Sequence, residues 1–568
     1  MSLSSLCFLY TYEMPKLKRN NYHSKLTWVA YVATAIVLLP IASLLLISIF
    51  GDFSEWSHLL RYSLPNTALN TVLLLIGVAI FVGAVGTGAA WLTAAYIFPT
   101  RNILIWAMLL PLSVPSYIMA FSYLDLTHTL GPIQSTIRDI LGYSSPRDFR
   151  LPDIRDMGIF GAVIVLGLSL YSYVYLSVRV MFMSQSANLI EAARTLGCSP
   201  SRAFMRVMLP MARPAIAVGI SLALLETLND IGASEFLGIQ TMTVSIYTEW
   251  TTKHNMQAAA QIAMVMLAVV TVILYIERIS RNRQRYSNTQ KLKPIEPVRL
   301  HGYKALLAMF FGWLPIIVGF FFPASYLIYE TYIRIGNYGR VSSDLFDATF
   351  NTFILASIAT VITVCLGLLI AWVVRNPRYK FGKILVRLAT IGYAVPASVI
   401  SIGLIYPLGH IDDFISSVIE YFTSAPPQLY ITGSIAGLVI IYVIRFLLIS
   451  TGGLEAGLSR IPISLDNAAS SLGMKSNRTF FKVHLPLLKP ALGSAALLVF
   501  VDSMKELSAT LLLRPLSFET LSTWLYAEAA RETYEEGAIA ALLIVLVGIL
   551  PVIFLARPHL RHAINDHE

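Results

Sequence analysis

The chain has 568 residues, of which 56% are apolar and only 13% charged, and its mean hydropathy is +0.67. Soluble domains carry about 25% charged residues, so this composition excludes a soluble globular enzyme and a disordered protein. Three cysteines are too few for a disulfide framework or a cysteine-based metal site. We therefore expect a polytopic membrane protein, whose net charge of +10 reflects basic loops on the cytoplasmic side.

Twelve apolar segments reach the length of about 20 residues that a helix needs to cross a bilayer. In chain order they are Leu26–Phe50, Leu69–Phe98, Ile103–Leu124, Gly158–Phe182, Ala215–Leu237, Ala258–Ile276, Ala305–Ile328, Phe350–Val374, Leu388–Leu408, Ile431–Ser450, Ala491–Leu513 and Ala538–Leu555. Continuous apolar runs of this length exclude barrel strands, which are about ten residues long and alternate in polarity. The sequence predicts an all-α polytopic membrane protein.

The charges flanking these segments predict their orientation. Lys16, Lys18, Arg19 and Lys25 precede the first segment, which places the N-terminus in the cytoplasm. With twelve spans the C-terminus is then cytoplasmic too. Lysine and arginine concentrate in the loops that this assignment places inside, and aspartate and glutamate concentrate in the loops placed outside.

The chain contains an internal repeat. The segment Ala192–Ala215 returns in the second half as Ala468–Ala491, with nearly half of its positions identical. Upstream landmarks also recur in the same order: Asn70-Thr71, Trp91 and Val114-Pro115 return as Asn351-Thr352, Trp372 and Val395-Pro396. Each half thus has six spans, and six is even, so the repeats are parallel and related by an axis along the membrane normal. The predicted domains are an N-terminal segment (1–25), a first repeat (26–276), a linker (277–304), a second repeat (305–556) and a tail (557–568).

The repeated segment lies in a predicted cytoplasmic loop between the fourth and fifth spans of each half, at 188–213 and 464–489. In the first copy its fixed positions are Glu191, Ala192, Ala193, Gly197, Leu209 and Pro210. In the second copy they are Asn467, Ala468, Ala469, Gly473, Leu485 and Pro486. Glycine permits a turn that other residues resist, and the two small alanines allow another protein to approach closely. The alternative is a plain amphipathic surface loop, which has no reason to repeat its spacing.

This spacing resembles the E-A-A-x3-G-x9-I-x-L-P loop of the permeases of binding-protein-dependent ABC importers. The resemblance implies a type I importer fold, in which each loop forms a coupling helix that docks on an ATPase subunit. Asn467 departs from the glutamate of the pattern, which puts equal docking of the two loops in question. The sequence has no G-x4-G-K-[ST] phosphate loop of its own.

The expected partners follow from the same resemblance. They are two copies of a cytoplasmic ABC ATPase and a periplasmic substrate-binding protein, with no nucleic acid. We expect no enzymatic activity and no permanently bound cofactor in this chain, since ATP is used by the partner subunits. The expected location is the bacterial inner membrane. The outer segment Asp125–Met157 is either a docking surface for the binding protein or a solvated loop.

Five acids fall inside the predicted spans: Glu226, Asp230, Glu235, Asp502 and Glu506. A charge at a helix centre costs about 2.5–3.5 kcal/mol on insertion scales, so acids at these positions indicate a functional or structural role. Glu226 and Asp230 are predicted on one face of the fifth span, and Asp502 and Glu506 are their equivalents in the second repeat. The four predict an anionic lining for a cationic substrate, or a gate. The alternative is that the acids are structural, with Asp502 paired to Lys505 and Arg445 paired to another acid.

Two segments, Leu225–Trp250 and Leu498–Pro515, resemble the ferric-iron branch of fused ABC permeases. Ferric iron is therefore the predicted substrate, and thiamine, phosphonate and sulfate are the alternatives within the class. An ion-coupled secondary transporter also has two parallel halves and intramembrane acids, but it leaves the doubled loop unexplained.

Overall fold

The computed structural model describes residues 22–50, 54–184, 195, 200–282, 297–339, 342–375, 382–423, 426–474 and 476–565. In these residues eleven helices are long and apolar enough to cross a membrane, and a bent helix pair makes a twelfth span. We label the spans α1 to α12: Trp28–Phe50, Trp56–Ala95, the pair Arg101–Ser113 and Ser116–Leu141, Ile159–Met183, Phe204–Asn229, Met256–Ser280, Tyr303–Asn337, Ser343–Arg375, Ala397–Thr423, Ile435–Ser459, Phe480–Met504 and Tyr534–Phe554. The predicted all-α polytopic fold is confirmed.

Shorter elements connect the spans. Among the described residues, the short helices outside the spans are Pro200–Ala203, Gly232–Phe236, Met242–Thr251, Gly382–Ala389, Ile391–Tyr393, Ile463–Ser471, Ser476–Thr479, Ser508–Leu513 and Leu521–Ala530. Two strands of two residues, β1 (Tyr96–Ile97) and β2 (Val298–Arg299), pair in parallel. This pairing ties the end of the predicted linker to the end of α2.

The bend in α3 follows from its sequence. Its two helices meet at 88° around Pro115. Proline has no N–H to donate and disfavours a helical conformation in the residue before it, and Pro115 caps the start of the second helix. Pro396 occupies the same place in the second half, directly before α9. The repeated Val-Pro landmark therefore marks a break inside each half.

The fifth and eleventh spans differ from their predicted limits. The sequence predicted Ala215–Leu237 and Ala491–Leu513, but α5 ends at Asn229 and α11 at Met504. The short helices Gly232–Phe236 and Ser508–Leu513 follow them. Apolar residues continue past both helix ends, around Glu235 in the first half and without a charge in Ser508–Leu513, so hydropathy does not reveal the break.

The first helix of each half packs against helices of the other half. α1 packs against α9, where an added Cβ on Gly403 would clash with the carbonyl oxygen of Pro40. α7 packs against α3 and α12, and the Tyr123 hydroxyl donates to the Val318 carbonyl at 2.5 Å. As a result, each of the two large hydrophobic cores contains helices from both repeats.

The repeated Asn-Thr pair holds the connection that follows α5. The Asn70 side chain donates to the Gln240 carbonyl at 3.1 Å, and the Met242 amide donates to the Thr71 hydroxyl at 3.0 Å. The second half repeats both bonds, from Asn351 to the Glu519 carbonyl at 3.1 Å and from the Leu521 amide to Thr352 at 2.8 Å. Because buried backbone groups must be paired, these side chains fix the start of the next short helix in each half.

Candidate functional site

A cavity of about 110 Å³ lies between the two halves, and we call it the central cavity. The first half lines it with the bend of α3, with α4 and with the end of α5, and the second half with Tyr393, α10 and the end of α11. All four acids predicted for the path line it, together with two cationic side chains: Glu226, Asp230, Asp502, Glu506, Arg445 and Lys505. Four carboxylates against two cations leave an excess of negative charge when all are ionised.

Asp230 and Glu506 have the same structural role in the two halves. Asp230 Oδ1 accepts a hydrogen bond from the Ala233 amide at 2.6 Å, and Glu506 Oε1 accepts one from the Ala509 amide at 2.9 Å. Each carboxylate therefore satisfies a free N–H in the first turn of the short helix that follows the break. Asp230 also accepts a hydrogen bond from the Ser116 hydroxyl.

The position of Asp230 corrects a prediction. The sequence placed it on one face of α5 with Glu226, but the helix ends at Asn229 and Asp230 has extended backbone angles (φ −83°, ψ 109°). Asp230 is 8% exposed and Glu506 is 5% exposed. Both acids therefore line the cavity while their oxygens are engaged by the protein.

The cationic side chains form the two ion pairs that the structural alternative predicted. Arg445 Nη1 lies 2.8 Å from Glu506 Oε1, and the two side chains are 9% and 5% exposed. Lys505 Nζ lies 2.8 Å from Asp502 Oδ1, three residues away, and this pair is about one quarter exposed. Arg445 also donates to Asn229 Oδ1 at 3.0 Å, so it joins the second half to the first.

Glu226 differs from the other three cavity acids in its partner, which is neither a cation nor a backbone amide. Its Oε1 accepts a hydrogen bond from the Tyr393 hydroxyl at 3.2 Å. No ion pair to Glu226 is found among the residues that the structure describes. Glu226 therefore faces the cavity with its charge not neutralised by a described cationic side chain.

The cavity is not built as a tight metal centre. Over the described ranges, no three His, Cys, Asp or Glu side chains are grouped closely enough to hold a metal ion. The four acids share one cavity but do not converge on a single point. The fifth acid, Glu235, lies outside the cavity lining, where the Tyr526 hydroxyl donates to its Oε2.

Asn229 and Tyr393 are cavity residues that the sequence analysis missed. Asn229 Oδ1 accepts from the Ala397 amide at 2.9 Å, and its carbonyl accepts from the Ser508 hydroxyl at 2.6 Å. These bonds join the end of α5 to the start of α9 and to the short helix after α11. The sequence contained a signal for Asn229, because an asparagine inside an apolar segment and next to Asp230 requires buried hydrogen-bond partners.

The second repeated loop contains the helix Ile463–Ser471. Asn467 and Ala468 are exposed on it, whereas Ala469 is only 4% exposed and faces the protein. The helix ends before Gly473, whose φ of +73° is the left-handed conformation that glycine adopts without strain. The loop then enters α11, with Leu485 and Pro486 at the start of its regular helical part. Small, exposed residues on this helix leave room for another protein to dock.

The first repeated loop is only partly described. Glu191, Ala192, Ala193 and Gly197 lie outside the described residues. Leu209 and Pro210 lie at the start of the regular helix Leu209–Asn229, as their equivalents do in the second half. Trp91 contacts Phe204 at 4.6 Å between ring centroids, and Trp372 contacts Phe480 at 4.7 Å, so both loops lead into matching aromatic contacts.

The fold and the doubled loop define an integral-membrane transport subunit with two equivalent halves. The sequence profile of the family described as "binding-protein-dependent transport system inner membrane component" matches residues 86–286 and again 363–560. The chain belongs to this family and carries its domain twice. It is a permease subunit of an ABC importer and a multi-pass inner-membrane protein, which excludes the secondary-transporter alternative.

Individual relatives are known transport permeases. The chain is 27% identical over 504 residues to the "Fe(3+)-transport system permease protein FbpB 2" of Haemophilus influenzae, covering 88% of this chain and 91% of that relative. It is 27% identical over 340 residues to the "Ferric transport system permease protein FbpB" of Actinobacillus pleuropneumoniae, covering 57% and 47%. It is also 28% identical over 204 residues to the "Molybdenum transport system permease protein ModB" of Escherichia coli, covering 34% and 85%. The similarity to permeases named for ferric transport is therefore the more extensive.

Proposed function

We propose that this permease moves ferric iron, delivered by a periplasmic binding protein, into the cytoplasm at the expense of ATP. The observation that carries the proposal is the central cavity, in which carboxylates outnumber cationic side chains. Hard cations such as ferric iron prefer oxygen ligands, and an acidic lining repels molybdate, sulfate and phosphonate. The ferric permease relative that matches 88% of the chain supports the same substrate.

Within this proposal the four acids divide into two roles. Asp230 and Glu506 hold the breaks after α5 and α11 through hydrogen bonds to backbone amides. Glu226 and Asp502 are only partly buried and face the cavity, so they are the groups that meet the ion as it passes. The contact is transient, since the binding protein supplies the selectivity.

The proposed partners are two ATPase subunits, one for each repeated loop, and one binding protein on the opposite side. The exposed Asn467 and Ala468 are the proposed contact of the second loop with its ATPase. Both termini lie in the cytoplasm in this arrangement. The chain binds no cofactor permanently, and ATP binds to the partner subunits.

Uptake of radiolabelled ferric iron by an iron-limited strain lacking this gene tests the proposal. Uptake is expected to be lost on deletion and restored by the intact gene. Labelled molybdate, sulfate, phosphonate and thiamine serve as parallel substrates in the same cells. Loss of uptake of one of these, with ferric uptake unchanged, would refute ferric iron and identify the alternative.

A further inference from the structure

Three side chains attach the second repeated loop to the membrane helices, and we call them the anchor cluster: Arg375, Asp466 and His484. Arg375 is the last residue of α8, Asp466 lies in the loop helix, and His484 lies near the start of α11. Arg375 Nη2 donates to Asp466 Oδ2 at 2.7 Å, and His484 Nε2 lies 2.6 Å from Asp466 Oδ1. Both carboxylate oxygens of Asp466 are therefore engaged by the permease itself.

The surroundings of the anchor cluster make these contacts hard to replace. The His484 side chain is fully buried, and its ring meets the Trp372 ring edge-on at 4.9 Å between centroids. Arg375 also donates to the carbonyls of Leu458, in the last turn of α10, and of Ile461, two residues before the loop helix. The Arg375 and Asp466 side chains are 15% and 32% exposed, so the loss of Asp466 falls mainly on the buried His484, whose Nε2 is left without its partner.

The first half lacks the anchor cluster. When the repeats are aligned on Trp91 with Trp372 and on Gly197 with Gly473, the equivalent positions are Ala94, Ile190 and Met208. All three polar members are replaced together by apolar side chains. Ala94 and Met208 are buried, and Ile190 lies outside the described residues. The side chains that hold the second loop to α8 and α11 therefore have no polar counterpart at the equivalent sequence positions of the first repeat.

The acidic residue of the loop also stands one position earlier in the second repeat than in the first. The first loop has Glu191, and its equivalent in the second loop is Asn467, directly after Asp466. A shift of one residue turns a side chain by about 100° around a helix. Asp466 shares the inward side of its helix with the buried Ala469, while Asn467 is exposed. The second loop thus directs its acid toward the permease rather than toward a partner.

We propose that Asp466 is a positioning residue that fixes the second loop helix to α8 and α11, so that the two loops of the chain transmit ATPase motion unequally. α11 begins beside this loop, and the residues that follow its end, Lys505 and Glu506, line the central cavity. A displacement of the anchored helix is therefore passed along α11 to the cavity. The inference rests on the proposed ATPase coupling and not on the identity of the substrate.

The test compares ATP hydrolysis and uptake in liposomes containing the complex of this chain with its ATPase and binding protein. Asp466→Asn removes the charge but keeps the shape. We expect uptake per ATP hydrolysed to fall about tenfold, within the range of known coupling effects, while the ATPase subunits co-purify in unchanged amounts. Glu455→Gln, which removes an exposed acid at the same end of α10, is the matched control and is expected to change neither quantity.

A rescue experiment separates positioning from simple loss of stability. The triple variant Arg375→Ala, Asp466→Ile and His484→Met gives the second repeat the side chains of the first at these three positions, and replacing the whole ionic set leaves none of its members unpaired. We expect it to recover coupling to within about twofold of the unmodified complex. The inference is overturned if Asp466→Asn leaves the ratio unchanged, if it releases the ATPase subunits, or if the triple variant is no better coupled than the single one.

The substrate proposal can fail separately in the same experiment. If the unmodified complex hydrolyses ATP in response to its binding protein but takes up no ferric iron, the substrate assignment is wrong. The stimulation of hydrolysis by the binding protein then replaces uptake as the measure of coupling. Its loss in Asp466→Asn and recovery in the triple variant would still support the anchor, and an unchanged stimulation would overturn it.

Discussion

The ion pair between Arg445 and Glu506 gives a prediction whose size follows from its geometry. The two side chains are 9% and 5% exposed and lie 2.8 Å apart. Arg445→Met keeps most of the side-chain volume but leaves the Glu506 carboxylate buried without a cation. Breaking one partner of a buried pair costs about 3–5 kcal/mol, and the cavity beside this pair favours the lower end, so we expect a loss of about 3 kcal/mol in the free energy of unfolding.

The double variant should be less damaged than this single one. Glu506→Gln removes the unpaired charge and keeps a side-chain oxygen that can accept from the Ala509 amide, as Glu506 does. With Arg445→Met it is expected to lose only about 1 kcal/mol, near the net value of one hydrogen bond. The two substitutions should therefore be non-additive by about 2 kcal/mol or more.

Equilibrium unfolding in detergent, followed by circular dichroism, measures the stability of the original chain, the two single variants and the double variant. Together these four proteins form a double-mutant cycle. Lys505→Met is the matched control, because its pair with Asp502 is about one quarter exposed. More exposed pairs contribute about 1 kcal/mol or less. Additive effects, or an Arg445→Met variant within about 0.5 kcal/mol of the original chain, would refute the claim that this buried pair stabilises the fold.

Three further predictions concern packing and hydrogen bonds, each read from unfolding in the same detergent. Gly403→Ala should destabilise the chain by about 1–3 kcal/mol because α1 leaves no room for a Cβ, whereas Gly409→Ala on the same helix meets nothing within 4 Å and should not. Equal stability of the two would contradict the close contact. Thr352→Val should cost about 1–3 kcal/mol by leaving the buried Leu521 amide without its acceptor, and an unchanged stability would show that water replaces it. Asp230→Ala should cost about 1 kcal/mol through loss of a helix cap, and no loss would remove its structural role.

Much of the fold was predictable because its signals are local. The length of an apolar run decides whether a segment can span a bilayer, so the number of spans followed from counting. The repeat could be recognised in the sequence because Asn70-Thr71, Trp91 and Val114-Pro115 each have a fixed structural role. In the structure they hold a loop, pack on Phe204 and break a helix.

Other features depend on contacts that hydropathy does not record. The breaks after α5 and α11 were missed because apolar residues continue beyond both helix ends. Capping by Asp230 and Glu506 could not be predicted without knowing those breaks. The exchange of α1 and α7 between the halves depends on close approaches such as Gly403 to Pro40, which are distant in the chain.

The acids of the candidate site could be predicted from the sequence, but Asn229, Tyr393 and the contacts within the site could not. All four predicted acids line the central cavity, and the proposed pairing of Asp502 with Lys505 is present. The partner of Arg445 could not be chosen from sequence, since Glu506 is 61 positions away. The division between acids that hold the backbone and acids that face the cavity required their hydrogen bonds.

The most direct test of the whole account is ATP-driven uptake of ferric iron into liposomes that contain this chain, its ATPase and its binding protein. The variants compared are the unmodified chain and the double substitution Glu226→Gln with Asp502→Asn, checked for equal insertion and ATPase binding. We predict uptake by the unmodified complex and a loss of about tenfold or more in the double variant, the effect of removing about 1.4 kcal/mol or more of stabilisation. Full uptake by the double variant would contradict the acid-lined path, and no ferric uptake by the unmodified complex, despite ATP hydrolysis stimulated by the binding protein, would contradict ferric iron as the substrate.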